Sequence, residues 1–284
     1  MGSLRRVVTA AVMAGVLLAG GSARAAEPEQ VLRDWYRLVL ELVRHTPTYS
    51  PPVASRAFAY LGVTAYEATA SGNADLVTLA GQLNALAALP ARDEGAVYDD
   101  AVVLNAALAS AARNFFFNTG PTGQRALAAM TKRLTANASA GVAADVFDRS
   151  EALGEAIADH VLAWSADDGG AVVENMGFPL EYTLRDDPSA WVPTSPIAQQ
   201  QAPLLPDWRN NRTFATPNGQ ECPVPPHPEY SEDPASDFYK EAKEVYDAVN
   251  HLTPDQRAMA RFWSDDPMLS PTPPGHWLSI VMQI

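Results

Sequence analysis

An all-α protein, a helical bundle carrying a long Pro-rich wrapping loop, is the fold class that this sequence predicts. Three observations lead there. Apolar residues recur at spacings of three and four along most of the chain, no stretch alternates convincingly with the period of two that a half-buried strand needs, and Ala-rich runs supply the small side chains that let helices approach closely. The 284 residues are 47% hydrophobic and 19% charged, which is globular composition with enough apolar side chains for a sizeable core.

Residues 1–25 read as a signal peptide. Arg5 and Arg6 precede an apolar run from Val7 to Ala19, and Ala23-Arg24-Ala25 offers small residues for cleavage. That run is shorter than the roughly 20 residues that span a bilayer. Export to a periplasmic or extracellular space is therefore expected, with no membrane attachment once the leader is gone.

Residues 26–167 are expected to form an N-terminal helical bundle. Val31, Trp35, Leu38, Val39, Leu42 and Val43 give a first amphipathic helix closed by Pro47. A second begins beyond Pro51-Pro52 and runs through the Ala-rich SRAFAYLGVTAYEATASG. On it Arg56 and Glu67 lie eleven positions apart, about three turns, so they share a face. They read as anchors for neighbouring helices before they read as an active-site pair. Leu76, Leu79, Leu83 and Leu86 predict a third helix, and Val97, Ala101, Leu104, Leu108, Ala111 and Phe115 a fourth, with Phe115-Phe116-Phe117 as core and interface rather than a substrate pocket. Thr122 is the expected cap of a fifth helix bearing Leu127, Met130 and Leu134. Val146, Leu153, Ile157, Val161 and Trp164 predict a sixth, ending at Asp167-Asp168-Gly169-Gly170.

Residues 168–235 form a Pro-rich irregular segment: 12 of the 23 prolines fall between Asp168 and Asp237, and helical periodicity disappears. Trp191, Trp208, Phe214 and Tyr230 predict that it wraps the surface, because exposed linkers rarely carry so many aromatic rings. Helix returns over residues 236–284. Phe238, Ala242, Val245 and Val249 mark one helix, and Thr253-Pro254-Asp255-Gln256 sets a capping box for the next, with Met259, Phe262 and Trp263 as its expected buried side. A last helix opens at Pro274-Gly275 and carries Trp277, Leu278, Ile280, Val281 and Ile284, an apolar face for which no partner follows in the sequence.

The formal net charge is −13, and loss of the leader with its three arginines takes it to −16. So acidic a surface, with no basic stripe, repels nucleic acid and anionic lipid. Cys222 is the only cysteine, which rules out an internal disulfide, and in ECPVPPHP it reads as a plain loop thiol.

Local chemistry is sparse. His45, His160, His227, His251 and His276 are scattered, with no H-E-x-x-H or H-x-x-x-H pair, so no metal site is expected. The doublets Asp99-Asp100, Asp167-Asp168, Asp186-Asp187 and Asp265-Asp266 lack calcium-loop spacing and read as caps, turns or solvated faces. No nucleophile elbow, phosphate loop or dinucleotide fingerprint occurs.

Longer phrases carry more. SRAFAYLGVTAYEA at Ser55 to Ala68, LAWSADDGG at Leu162 to Gly170, WVPTSP at Trp191 to Pro196, LLPDWRNNRTFA at Leu204 to Ala215, SEDPASDFYKEAKEVYD with LTPDQRAMARFW between Ser231 and Trp263, and PPGHWLSI at Pro273 to Ile280 follow one another in a characteristic order. In that order the chain resembles the N-terminal half of bacterial vanadium-dependent haloperoxidases, within the superfamily that includes type 2 phosphatidic acid phosphatases and bacterial acid phosphatases. The resemblance implies a pair of helical bundles in which Lys, Arg and Ser side chains hold vanadate or phosphate beneath an apical His. Guanidinium forks match such oxyanions, and clustered cations neutralise them. Peroxidase chemistry, halide oxidation by peroxide at bound vanadate, is the activity implied for one branch, and histidine attack on phosphorus for the other.

The oxyanion motifs of that family are a Lys followed by Arg-Pro, then Pro-Ser-Gly-His, then Ser-Arg with a later His, and this sequence lacks all three. Its lysines are Lys132, Lys240 and Lys243, no Arg-Pro dipeptide occurs, and no His has an Arg six residues before it. Pro273-Pro274-Gly275-His276 comes nearest, but Pro274 offers neither hydroxyl nor backbone N–H to an oxyanion. His276 is thus the one candidate site residue, expected to border a pocket or cap a helix. No cofactor is expected in this chain, vanadate being implied only for the full-length family. The expectation is an exported scaffold, truncated before a missing C-terminal catalytic bundle and inactive alone. Alternatives are a non-catalytic interaction module or half of a split enzyme whose partner is a separately encoded C-terminal half, an acid-phosphatase-like hydrolase in the full-length form, and an independent hydrolase using Glu67, Asp265 or Asp266.

Overall fold

The structure, a computed structural model, describes residues 26–171, 177–194, 202–221, 223–266 and 268–284. The leader, Cys222 and the last two residues of the WVPTSP motif lie outside the described residues. Among the described residues there are eight α-helices, one short 3-10 helix at Trp208–Asn210 and no strand, in agreement with the all-α reading. None of these helices is long and apolar enough to cross a membrane.

The helices are α1 (Pro28–Arg44), α2 (Pro51–Ala70), α3 (Asp100–Phe115), α4 (Gly120–Ala138), α5 (Ala144–Ser165), α6 (Asp237–Asn250), α7 (Pro254–Phe262) and α8 (Thr272–Val281). The bundle is built around α3. Thirteen of its sixteen residues are buried, which requires neighbours on every side, and α1, α2, α4 and α5 supply them. Its sequence, DAVVLNAALASAARNF, allows this because alanines cover the helix with little volume, and the Asp99 carboxylate caps it by accepting from the Val102 N–H at 3.0 Å. One polar residue inside the core is fully used: Asn105 accepts from the Trp35 indole at 3.0 Å and donates to Thr135 Oγ1 at 3.1 Å, tying α1 and α4 to α3.

The first helix behaves as its periodicity requires, with Val31, Trp35, Val39, Leu42 and Val43 all buried. The third expected helix does not form. Leu76 to Leu86 run as turns between α2 and α3, although Leu79, Leu83 and Leu86 still reach the core. The Glu67 carboxylate captures the Leu79 N–H at 2.5 Å and the Thr78 hydroxyl at 2.8 Å, and Gly81 and Ala85 take left-handed conformations at φ 73° and 61°, which no continuing helix tolerates. A loop can lay leucines on a core with helix-like spacing. Thr122 is also not the cap of its helix: α4 starts at Gly120 after Thr119, and Thr122 sits in the first turn, accepting from Arg125.

The irregular segment wraps the bundle at Phe214, whose ring lies 5.0 Å from Tyr60 and 5.3 Å from Trp164. Asn84 holds it there, its backbone N–H donating to the Phe214 carbonyl at 2.7 Å and its side chain to the Thr213 and Thr216 carbonyls. Trp191 and Tyr230 stay exposed. One expectation for the last helices needs correction. Met259, Phe262 and Trp263 are not a buried side, because α6 and α7 bury no residue and nothing described covers them. The last helix is covered on one flank, while Trp277, Ile280, Val281 and Ile284 of its expected apolar face stay exposed. α8 lies on α1 and α2 through Thr272, Gly275, Leu278 and Met282, and Arg33 donates to the Met282 carbonyl at 2.7 Å, closing its C-terminal end. Gly275 permits the approach, since a Cβ there would stand 2.7 Å from Pro271 and 3.2 Å from a Leu40 methyl.

Candidate functional site

His276, singled out from the sequence, stands in the first turns of α8. Its Nδ1 lies 3.0 and 3.1 Å from the two carboxylate oxygens of Asp265, in the connector after α7. The carboxylate fixes the ring: with Nδ1 as donor, Nε2 is left as the free nitrogen on a side chain 43% exposed. Sequence reading named Asp265 only as a carboxylate and had no means of pairing it with a residue eleven positions on across a Pro-rich turn. Glu67 does not join them. Glu67 is buried and holds Thr78 and Leu79, so Glu67, Asp265 and Asp266 do not form a set for hydrolysis.

A second cluster forms where α2, the end of α5 and the wrapping segment meet. The Asp168 carboxylate, 4% exposed, accepts from Arg56 Nε at 2.7 Å, from the Tyr60 hydroxyl at 2.8 Å and from the Gly170 N–H at 2.8 Å. Arg56 also donates to the Ser165 carbonyl at 2.7 Å, and Arg212 donates to Asp167 at 2.6 Å and to the Trp164 carbonyl. The Arg212 guanidinium holds the Asp167 carboxyl below the usual carboxylate range. Asp167-Asp168, expected as a helix stop, is thus the acidic centre of a clasp. Its cationic halves, Arg56 and Arg212, lie 156 positions apart and carry no joint signal.

Burial, reinforced by the neighbouring Asp168, pushes the Tyr60 hydroxyl up to about 12, and burial alone does the same for Tyr36. Both groups favour the protonated phenol in the folded chain. The stability they confer is complete below the ordinary tyrosine value of 10.0 and is lost as pH rises toward about 12. The urea midpoint is therefore expected to fall across that window, and a flat midpoint from pH 10 to 12 would contradict the burial of these rings.

No family model and no curated protein matches the chain. A solved structure described as the first bacterial vanadium-dependent iodoperoxidase does, at 34% identity and a TM-score of 0.73 over 89% of this chain. The chain has a vanadium haloperoxidase-like fold. It spans 60% of the length of that solved chain.

Whether the residues of this haloperoxidase-like chain fit vanadate is decided by the cations. A multiply charged oxyanion needs several of them converging on space they do not already share with carboxylates. Arg56 and Arg212 meet at the clasp, and both are spent on Asp168, Asp167 and backbone carbonyls. Lys240 and Lys243 pair with Asp237 and Asp247 on exposed α6, and Lys132 lies exposed on α4. Among the described residues no group of His, Cys, Asp and Glu could hold a metal ion either. The clasp does not fit the oxyanion, because its two guanidinium groups already serve carboxylates and carbonyls.

Proposed function

We propose that this chain is the scaffold portion of an exported vanadium haloperoxidase-like enzyme and that it does not oxidise halide by itself. The observation that supports this is the clasp: the guanidinium groups of Arg56 and Arg212, which meet there, are already neutralised by Asp168 and Asp167. The cations of a working site come, on this reading, from another polypeptide segment. His276 is the contribution of this chain, a half-exposed histidine oriented by Asp265 and placed, on this reading, outside the anion's own ligand shell. Iodide is the first halide to try, because the solved neighbour is named for it.

The expected result is no turnover. Purified chain given vanadate, hydrogen peroxide and iodide, with bromide and a phosphomonoester in parallel, shows no rate above the protein-free mixture, and calorimetry shows no stoichiometric uptake of orthovanadate. Turnover abolished by His276→Ala, or tight vanadate binding, would overturn the proposal. Export is read out by the mature N-terminus of the secreted chain, expected at Ala26.

A further inference from the structure

Helices α1 to α5 expose no large apolar side chain, whereas α6 to α8 expose nine. That contrast divides the chain into a finished bundle and a set of helices with an uncovered apolar side. α8 shows this most sharply. One flank is committed to α1 and α2, and the other leaves Trp277, Val281 and the following Ile284 at 71%, 64% and 95% exposure. Val281 also lines a groove of about 520 Å³ whose walls include Leu32, Tyr36, Ala65, Leu76 and Leu278. Its charged lining residues, Glu29 and Arg33, neutralise each other at 2.9 Å. Gly62 also lines it, and a Cβ there would meet only the Tyr36 hydroxyl, at an ordinary 3.6 Å, so internal packing does not require the glycine.

We propose that the outer face of α8 and this groove form one docking surface for a basic helical polypeptide. Shape argues for a helix: the floor is a groove between helices, with small residues that admit a third one closely. Charge chooses the sign. The chain carries a formal −13, and from Asp237 to Ile284 seven carboxylate residues face four basic ones. A second copy brings the same charge and is repelled, as is an anionic membrane, whereas a cationic helix is drawn in. The proposal rests on the reading above that the cations of a working site come from elsewhere, and it adds where they dock.

Two synthetic peptides with the same leucine seam, one flanked by lysines and one by glutamates, test it on the purified full chain in about 0.15 M salt. The lysine peptide is expected to bind, and the glutamate peptide at least about tenfold more weakly, as is the lysine peptide to a Trp277→Asp, Val281→Asp double variant. Both substituted residues are exposed, so circular dichroism is expected to show an intact fold. Equal binding to the variant overturns the proposal, as does a dimer of the chain that the variant dissolves, or uptake of the chain by phosphatidylcholine vesicles. Iodide turnover by the chain alone would sink the functional reading and leave the docking data standing. Absent peptide binding in an inactive chain would do the reverse.

Discussion

Asp168→Ala is expected to lower the unfolding free energy by about 3–5 kcal/mol, the range for removing one partner of a buried ion pair. The size follows from what is stranded. Arg56 keeps its charge, 13% exposed, with the Ser165 carbonyl and the face of the Tyr60 ring left beside it but no carboxylate, and the Tyr60 hydroxyl and Gly170 N–H lose their acceptor at the same moment. The wrapping segment loosens with them, because the Asp168 carbonyl receives the Arg212 N–H at 2.7 Å and Arg212 in turn binds the end of α5. Asp168→Asn, which retains an acceptor oxygen, is expected to cost clearly less than the alanine. Arg212→Ala is expected to cost less again, since its carboxylate partner Asp167 is exposed and water replaces the guanidinium there. Urea unfolding of the three variants gives the order directly. A change under about 1 kcal/mol for Asp168→Ala would mean that water reaches the carboxylate and that the clasp is a surface feature.

How much of this was legible in the sequence depends on the range of the interactions involved. Local periodicity placed all eight helices, α4 with the wrong cap, because an amphipathic or Ala-rich helix declares its face within a few turns. The capping box at Thr253 and Gln256 was readable for the same reason, and it is present. The false helix at Leu76 to Leu86 shows the limit. Spacing reports that leucines face a core, and the backbone between them was decided by Glu67, nine residues upstream of the first. The candidate site was less visible still. His276 could be picked out from its motif, but its orienting carboxylate lies across a turn. The clasp joins α2 to residues more than a hundred positions away, and no periodicity reports that separation. The exposed side of α6 and α7 failed in the opposite direction. An apolar face predicts burial against something, and sequence alone does not say that the something belongs to the same chain.

Gly154→Val is expected to destabilise by about 3 kcal/mol or more, at or beyond the upper end of the usual range for overpacking a core. Gly154 sits in the middle of α5 where it crosses α3. A Cβ built there would lie 2.3 Å from the Val103 carbonyl oxygen, 2.8 Å from the Ala106 Cβ and 3.0 Å from the Ala107 N. These neighbours are backbone and a Cβ, with no flexible side chain able to swing aside. Helix α5 must therefore move off α3, by about 1 Å to restore ordinary contact distance, and Leu153, Ile157 and Val161 move with it and lose close packing. Gly154→Ala separates the two opposing effects. Replacing a mid-helix glycine gains about 1 kcal/mol in helix propensity, while the clash costs about 1–3 kcal/mol, so a net loss is expected even for the smallest side chain. At roughly 2–4 °C per kcal/mol, thermal unfolding followed by circular dichroism resolves the alanine from the valine. An alanine variant that melts at or above the parent temperature would mean that α3 and α5 are farther apart than the close approach at Val103, and the buried alanine face of α3 would then need another explanation.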